Sequence, residues 1–222
     1  MDADLLSPKS GTFSRTAEVI SQLGVTNDLS WGVILVNLSV GSPLIRWYLK
    51  RVIFDESYSR FLLQKMVDDY GSKGSSDAVS ALGQFCCLPL CNIGFGKSIY
   101  KCNNVNRKEL ISITRTRWEN PADIVILYSL YKFAEVSGWK YGFKLKHLFD
   151  NSEEGISPVK IFGLNKKTLT NVLNGLTVIY PAFISAAFTH DLESINLNPA
   201  KTSMNVLELF SPNYKKCLEK SM

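Results

Sequence analysis

"KSIYKCNNVNRKELISITRTR", residues 97–117, is where the periodicity of this chain changes. Upstream of it, apolar residues recur at three- and four-residue steps. Here the β-prone runs "KSIYKC" and "ELISITRTR" flank "NNVNRK", the composition of a hairpin turn. Helices that run into a basic hairpin describe a winged-helix unit, in which one helix enters the major groove of DNA and the hairpin straddles the backbone. The hairpin carries Lys97, Lys101, Arg107, Lys108, Arg115 and Arg117. A lysine or arginine that neutralises a phosphate releases counterions, so this density points to DNA. The alternative is a solvated hairpin whose lysines keep a sheet edge from pairing with other chains.

Before the hairpin, residues 1–12 are rich in Ser, Pro and Gly and read as a flexible tail. "SRTAEVISQLG" has helical spacing closed by Gly24, and Asn27 or Asp28 caps a second helix through "LSWGVILVNLS". Ser42, with Pro43 at the first helical position, opens "PLIRWYLKRVI", which carries Arg46, Lys50 and Arg51 on one side. Those two helices and the tight "VGS" between them resemble a helix-turn-helix. Residues 56–71 predict another helix, with Tyr58, Phe61, Leu62 and Met66 at core spacing, and "AVSALGQFCCLPL" one more.

After the hairpin the order repeats without detectable sequence identity. "PADIVILYSLYKFAEVSG" is a long apolar helix capped by Asn120, and "FKLKHLFDN" a short one. A third runs from about Asn165 to Leu176, burying Leu169, Val172, Leu173 and Leu176. Its outward face carries Lys166, Lys167, Thr170, Asn171 and Asn174. Asparagine can read adenine bidentately and lysine can hold phosphate, so this is a candidate recognition helix. "FISAAFTH", "DLES" and "INLNP" read as strand, turn and strand, a second wing whose turn holds the acidic Asp191 and Glu193. "MNVLELF" closes the core, and "NYKKCLEK" ends the chain as a basic tail.

Composition bounds these readings. The 222 residues are 45% hydrophobic and 20% charged with a net charge of +5, which describes a globular chain and permits an anionic partner without requiring one. Asp2 and Asp4 occupy the place where a secretory leader needs positive charge, so the expected compartment is cytoplasmic. The longest apolar stretch, residues 31–45, is broken by Asn37, Ser39, Gly41 and Pro43 and reads as a buried helix, with no membrane partner. Five cysteines in such a chain are read as reduced thiols.

Two chemistries are suggested by "FCCLPLCNIGFGKS", residues 85–98. A zinc site needs four thiolate or imidazole ligands, yet Cys86, Cys87 and Cys91 form no Cys-x-x-Cys pair and both histidines lie far off, so core packing is the better reading. Gly96-Lys97-Ser98 matches the end of a phosphate-binding loop, but the first glycine of that pattern falls on Cys91, and a helix precedes the motif where a strand should. No metal or other cofactor is expected.

From "RTRWENPADIVILYSLYKFAE" through "SPVKIFGLNKKTLTNVLNGLTVIYP" and the following hairpin, the C-terminal half resembles the winged-helix end of an uncharacterised bacterial family. Its members are found beside phosphoadenosine phosphosulfate reductase-like proteins in phage-defence or DNA-modification islands. That resemblance implies a DNA-associated accessory protein.

The fold expected is mainly α with small β-hairpins, arranged as two winged helix-turn-helix units. Its divisions are a tail at 1–12, an N-terminal unit at 13–117, a C-terminal unit at 118–210 and a basic tail at 211–222. The expected function is non-enzymatic binding of double-stranded DNA, as an accessory or regulatory protein with a protein partner in a larger assembly. A homo-oligomer is compatible with it. The alternative is a winged-helix interaction subunit that makes no DNA contact, and third comes a nucleotide-hydrolysing enzyme using Lys97.

Overall fold

The computed structural model describes residues 3–6, 11–71, 74–102, 108–150, 155–189 and 192–210. Helix α1 (Arg15–Leu23) begins where the Ser14 hydroxyl accepts the Ala17 N–H. Asn27 caps α2 (Asp28–Gly41) by accepting from Leu29 N. At Ser42 the chain bends by 99° into α3 (Pro43–Arg51). No single helix among the described residues is long and apolar enough to cross a membrane. Most of the apolar stretch at 31–45 is buried inside the protein, as expected of a core helix.

Next come β1 (Ser57–Ser59), α4 (Arg60–Asp69), α5 (Ser75–Phe85), a 3-10 turn at 89–93, β2 (Lys97–Cys102) and β3 (Lys108–Thr114). The C-terminal half follows with α6 (Asp123–Val136), β4 (Gly142–Lys144), α7 (Pro158–Phe162), α8 (Lys166–Ile179), β5 (Ile184–Thr189), β6 (Leu192–Leu197) and α9 (Ser203–Glu208). Among the described residues the protein is therefore mainly helical, with two small antiparallel sheets ordered β1-β3-β2 and β4-β6-β5.

In each half a short strand is thus followed by two α-helices and a hairpin, and the short strand pairs with the returning strand of that hairpin. Both short strands fall where helix was expected. Tyr58 lies opposite Ile113 and is buried, its hydroxyl donating to Glu56 and accepting the Ile53 N–H. Pairing with β3 outweighs the helical spacing there, and α4 starts only at Arg60, with Ser59 accepting from Leu62 N. In the same way Phe143 sits opposite Ile195 and sets its ring 5.9 Å from Phe133, so "FKLKHLFDN" begins as strand and continues as one 3-10 turn, Leu145–Leu148.

The two halves share one hydrophobic core. At its centre α2 packs on α6 so closely that a Cβ on Gly32 would stand 2.8 Å from Val125 Cγ1. Tyr128 of α6 donates to Asn37 of α2 at 2.7 Å, satisfying a buried amide. At the junction of the halves the Trp118 N–H donates to Phe162 O, and the two rings meet edge to face at 5.1 Å. Part of the expected tail also belongs to this body. Asn37 donates to Ala3 O, Ser14 N to Leu5 O, and Ala3 and Leu5 pack on the core. Residues 211–222, expected as a basic tail, lie outside the described residues. Phe61, expected inside, is 76% exposed, because Leu63 and Val67 take the inward positions of α4.

Candidate nucleic-acid interface

Hairpin β2–β3 aligns Lys97 with Thr114, Lys101 with Glu109 and Cys102 with Lys108, with an irregularity between Ile99 and Tyr100. Tyr100 and Leu110 face α5. A Cβ on Gly83 would meet Tyr100 Oη at 2.7 Å and Leu110 Cδ2 at 2.9 Å, so this glycine lets the helix lie directly on the hairpin. Strand alternation then leaves Lys97, Ile99 and Lys101 exposed, and Lys108 is exposed on β3. Arg107 lies outside the described residues.

Four other cations differ from the expectation of a DNA-facing surface. Arg115 is buried in the core, its guanidinium donating to Leu49 O, Val52 O and Lys160 O and lying 3.7 Å from the centre of the Phe54 ring. It cannot reach DNA. Arg117 is half-exposed but forms an ion pair with Asp55 at 2.5 Å and donates to Gly163 O, so it braces the junction between the halves. Arg46 turns back to Ser39 O and Val40 O, closing the C-terminus of α2. Lys166 pairs with Glu193 at 2.5 Å, and Glu193 sits within β6 rather than in a turn.

Lys50 and Arg51 are exposed on α3, which packs against α2 and α7. The helix that immediately precedes the basic hairpin and packs on it is α5, whose exposed residues Ser76, Asp77 and Gln84 bring no positive charge. Asp191 of the second hairpin lies outside the described residues.

Helix α8 keeps its expected faces. Gly163-Leu164-Asn165 joins α7 to α8 in three residues, with Gly163 at φ 73° making the sharp turn and Asn165 accepting from Thr168 N at 2.8 Å. Leu169, Val172, Leu173 and Leu176 are buried. Lys167, Asn171 and Asn174 are exposed at four- and three-residue steps, and Val178 continues the stripe.

The glycines ahead of Lys97 serve packing. A Cβ on Gly94 would fall 2.6 Å from the Trp118 N, and one on Gly96 would fall 2.8 Å from Tyr48 Oη. Lys97 lines an open cleft of about 560 Å³, but Asp28, Asp55 and Glu119 line it too, and three carboxylates beside two cations give the cleft no net positive charge with which to enclose a nucleotide. Among the described residues no group of three or more His, Cys, Asp and Glu side chains could hold a metal ion.

The cysteines divide by environment. Burial pushes the Cys86 thiol up to about 12, whereas Cys87 and Cys102 are exposed. A thiol reagent at neutral pH is expected to label Cys87 and Cys102 in the native protein and Cys86 only after unfolding, as read by peptide mass spectrometry. Equal native labelling of Cys86 would contradict its place in the core.

No protein-family model, curated protein or solved structure matches this chain.

Proposed function

We propose that this protein binds double-stranded DNA through two winged helix-turn-helix units with divided roles, as an accessory component without catalysis of its own. The observation that carries the reading is α8, which follows a three-residue glycine turn and presents Lys167, Asn171 and Asn174 on one exposed stripe before a hairpin. A recognition helix needs that arrangement, with its N-terminal residues meeting base edges in the major groove. Asparagine discriminates adenine, and Lys167 supplies phosphate contact. In the N-terminal half the roles reverse. Helix α5 has little to read bases with, whereas the hairpin offers Lys97, Lys101 and Lys108. That half grips backbone and the other reads sequence.

Selection from a randomised duplex pool tests the division. The wild-type chain enriches a motif containing adenine, and Asn171→Ala or Asn174→Ala relaxes it at one position, each by about 1–3 kcal/mol. A pool with no enriched motif, or one unchanged by both substitutions, would contradict base reading by α8.

A second reading, a protein-docking subunit, draws on α4. Phe61 is 76% and Leu62 43% exposed there, with Tyr70 at 61% just beyond. Apolar surface of this kind favours a protein partner, and it lies on a different helix from the α8 stripe.

A further inference from the structure

The segment "SGWKYGFKLKHLF", residues 137–149, contains three lysines, one histidine and no acid. Helix α6 ends just before it, with Ser137 N donating to Phe133 O and Trp139 N to Ala134 O around Gly138 at φ 79°. The next residue, Trp139, also holds a left-handed conformation, at φ 62°. Glycine or asparagine accepts that region readily, but a bulky aromatic residue is strained there. Trp139 gains little burial in return, since it remains 60% exposed.

Its ring is nevertheless supported. Tyr141 lies 6.3 Å from it, centroid to centroid, and Tyr141 rests edge-on against the buried Tyr131 at 6.2 Å, which is anchored by donating to Phe183 O. Beyond these rings Phe143 turns inward, so Lys144 stands on the opposite face of β4, beside Ser194, and is exposed, as is Lys146 on the following turn. The nearest preceding acid, Glu135, is occupied by Ser203 N and Oγ at the start of α9.

We propose that this segment is a binding site for an unpaired nucleic-acid strand, with Trp139 stacking on a base and Lys144 and Lys146 meeting the phosphates. An exposed aromatic on a fixed backing, followed in the chain by exposed cations, is the chemistry by which proteins hold single strands without sequence preference. The lysines select a polyanion over an uncharged apolar partner, and the indole selects one that presents flat rings. This site lies on other residues than the proposed duplex interface and does not depend on it.

The test uses the full chain and a labelled oligothymidylate of about 20 nucleotides, followed by anisotropy and tryptophan quenching. Trp139→Asn is expected to weaken binding about five- to a hundredfold and to abolish the quenching, Trp139→Phe to retain most of the affinity, and Lys144→Gln/Lys146→Gln to flatten the salt dependence. Trp139→Asn also relieves the backbone, so its thermal midpoint should rise by a few degrees. A residue kept for stability would lower it. Lys97→Gln/Lys101→Gln/Lys108→Gln should leave oligothymidylate binding intact, which separates failure of this site from failure of the duplex reading. The proposal is overturned if wild type does not bind the oligothymidylate at low salt, or if Trp139→Asn binds it within about twofold of wild type. Binding of phosphatidylserine vesicles in place of the oligonucleotide, lost with Trp139, would overturn it in favour of a membrane surface.

Discussion

Arg115→Met is expected to lower the midpoint of thermal unfolding by about 10 °C, measured by circular dichroism or calorimetry. Three backbone carbonyls depend on this guanidinium: Leu49 and Val52 around the C-terminal end of α3, and Lys160 in α7. An acceptor left buried without a donor costs about 1–3 kcal/mol. Methionine keeps the volume of the stem and removes the penalty of a buried cation, which offsets part of that loss. A net destabilisation of about 3 kcal/mol remains, and a chain of this size loses about 2–4 °C per kcal/mol. Desolvation lowers the Arg115 pKa to about 10, so the side chain is still charged at neutral pH and its bonds are charge-assisted. Arg115→Lys should recover only part of the stability, because one ammonium cannot span carbonyls on two elements as a planar fork can. A Met variant as stable as wild type would mean that those carbonyls find other partners.

The same residue shows why the sequence misleads at this point. In the extended "RTR", Arg115 and Arg117 have the same parity, and arginine is seldom fully buried, so both read as surface cations. What draws Arg115 inward is tertiary: helix-end carbonyls from one half, a carbonyl from the other, and the Phe54 face converge on one point. No local pattern announces such a convergence. The short strands β1 and β4 were illegible for a related reason. Three residues are too few to show a period, and their partners lie about fifty residues away, at 112–114 and 194–196. Helix α8 was legible because fourteen residues carry a clear 3.6-residue period and a side-chain cap at Asn165. In α4 the apolar face is wider than the core needs, and the register that buries Leu63 and Val67 leaves Phe61 outside. The strain at Trp139 is a backbone property and is invisible in composition.

The second large effect concerns the basic hairpin. Replacing Lys97, Lys101 and Lys108 together by glutamine is expected to reduce affinity for duplex DNA on the order of a hundredfold at low salt, equally for all sequences. These side chains are exposed on a hairpin whose inner face is held by Tyr100, Leu110 and Ile113, so the triple variant should unfold at the wild-type temperature. Loss of binding with an unchanged midpoint therefore assigns the effect to charge. Glutamine keeps hydrogen-bonding capacity and length, which isolates the counterion contribution from shape.

Duplex binding through these lysines must weaken as salt rises. With phosphate contacts from Lys97, Lys101, Lys108 and Lys167, log K against log salt should fall with a slope of about −3.6, and the triple glutamine variant should lose about 2.7 of it. A wild-type chain that fails to bind duplex at about 50 mM salt, or binds with an affinity indifferent to salt, would contradict the account.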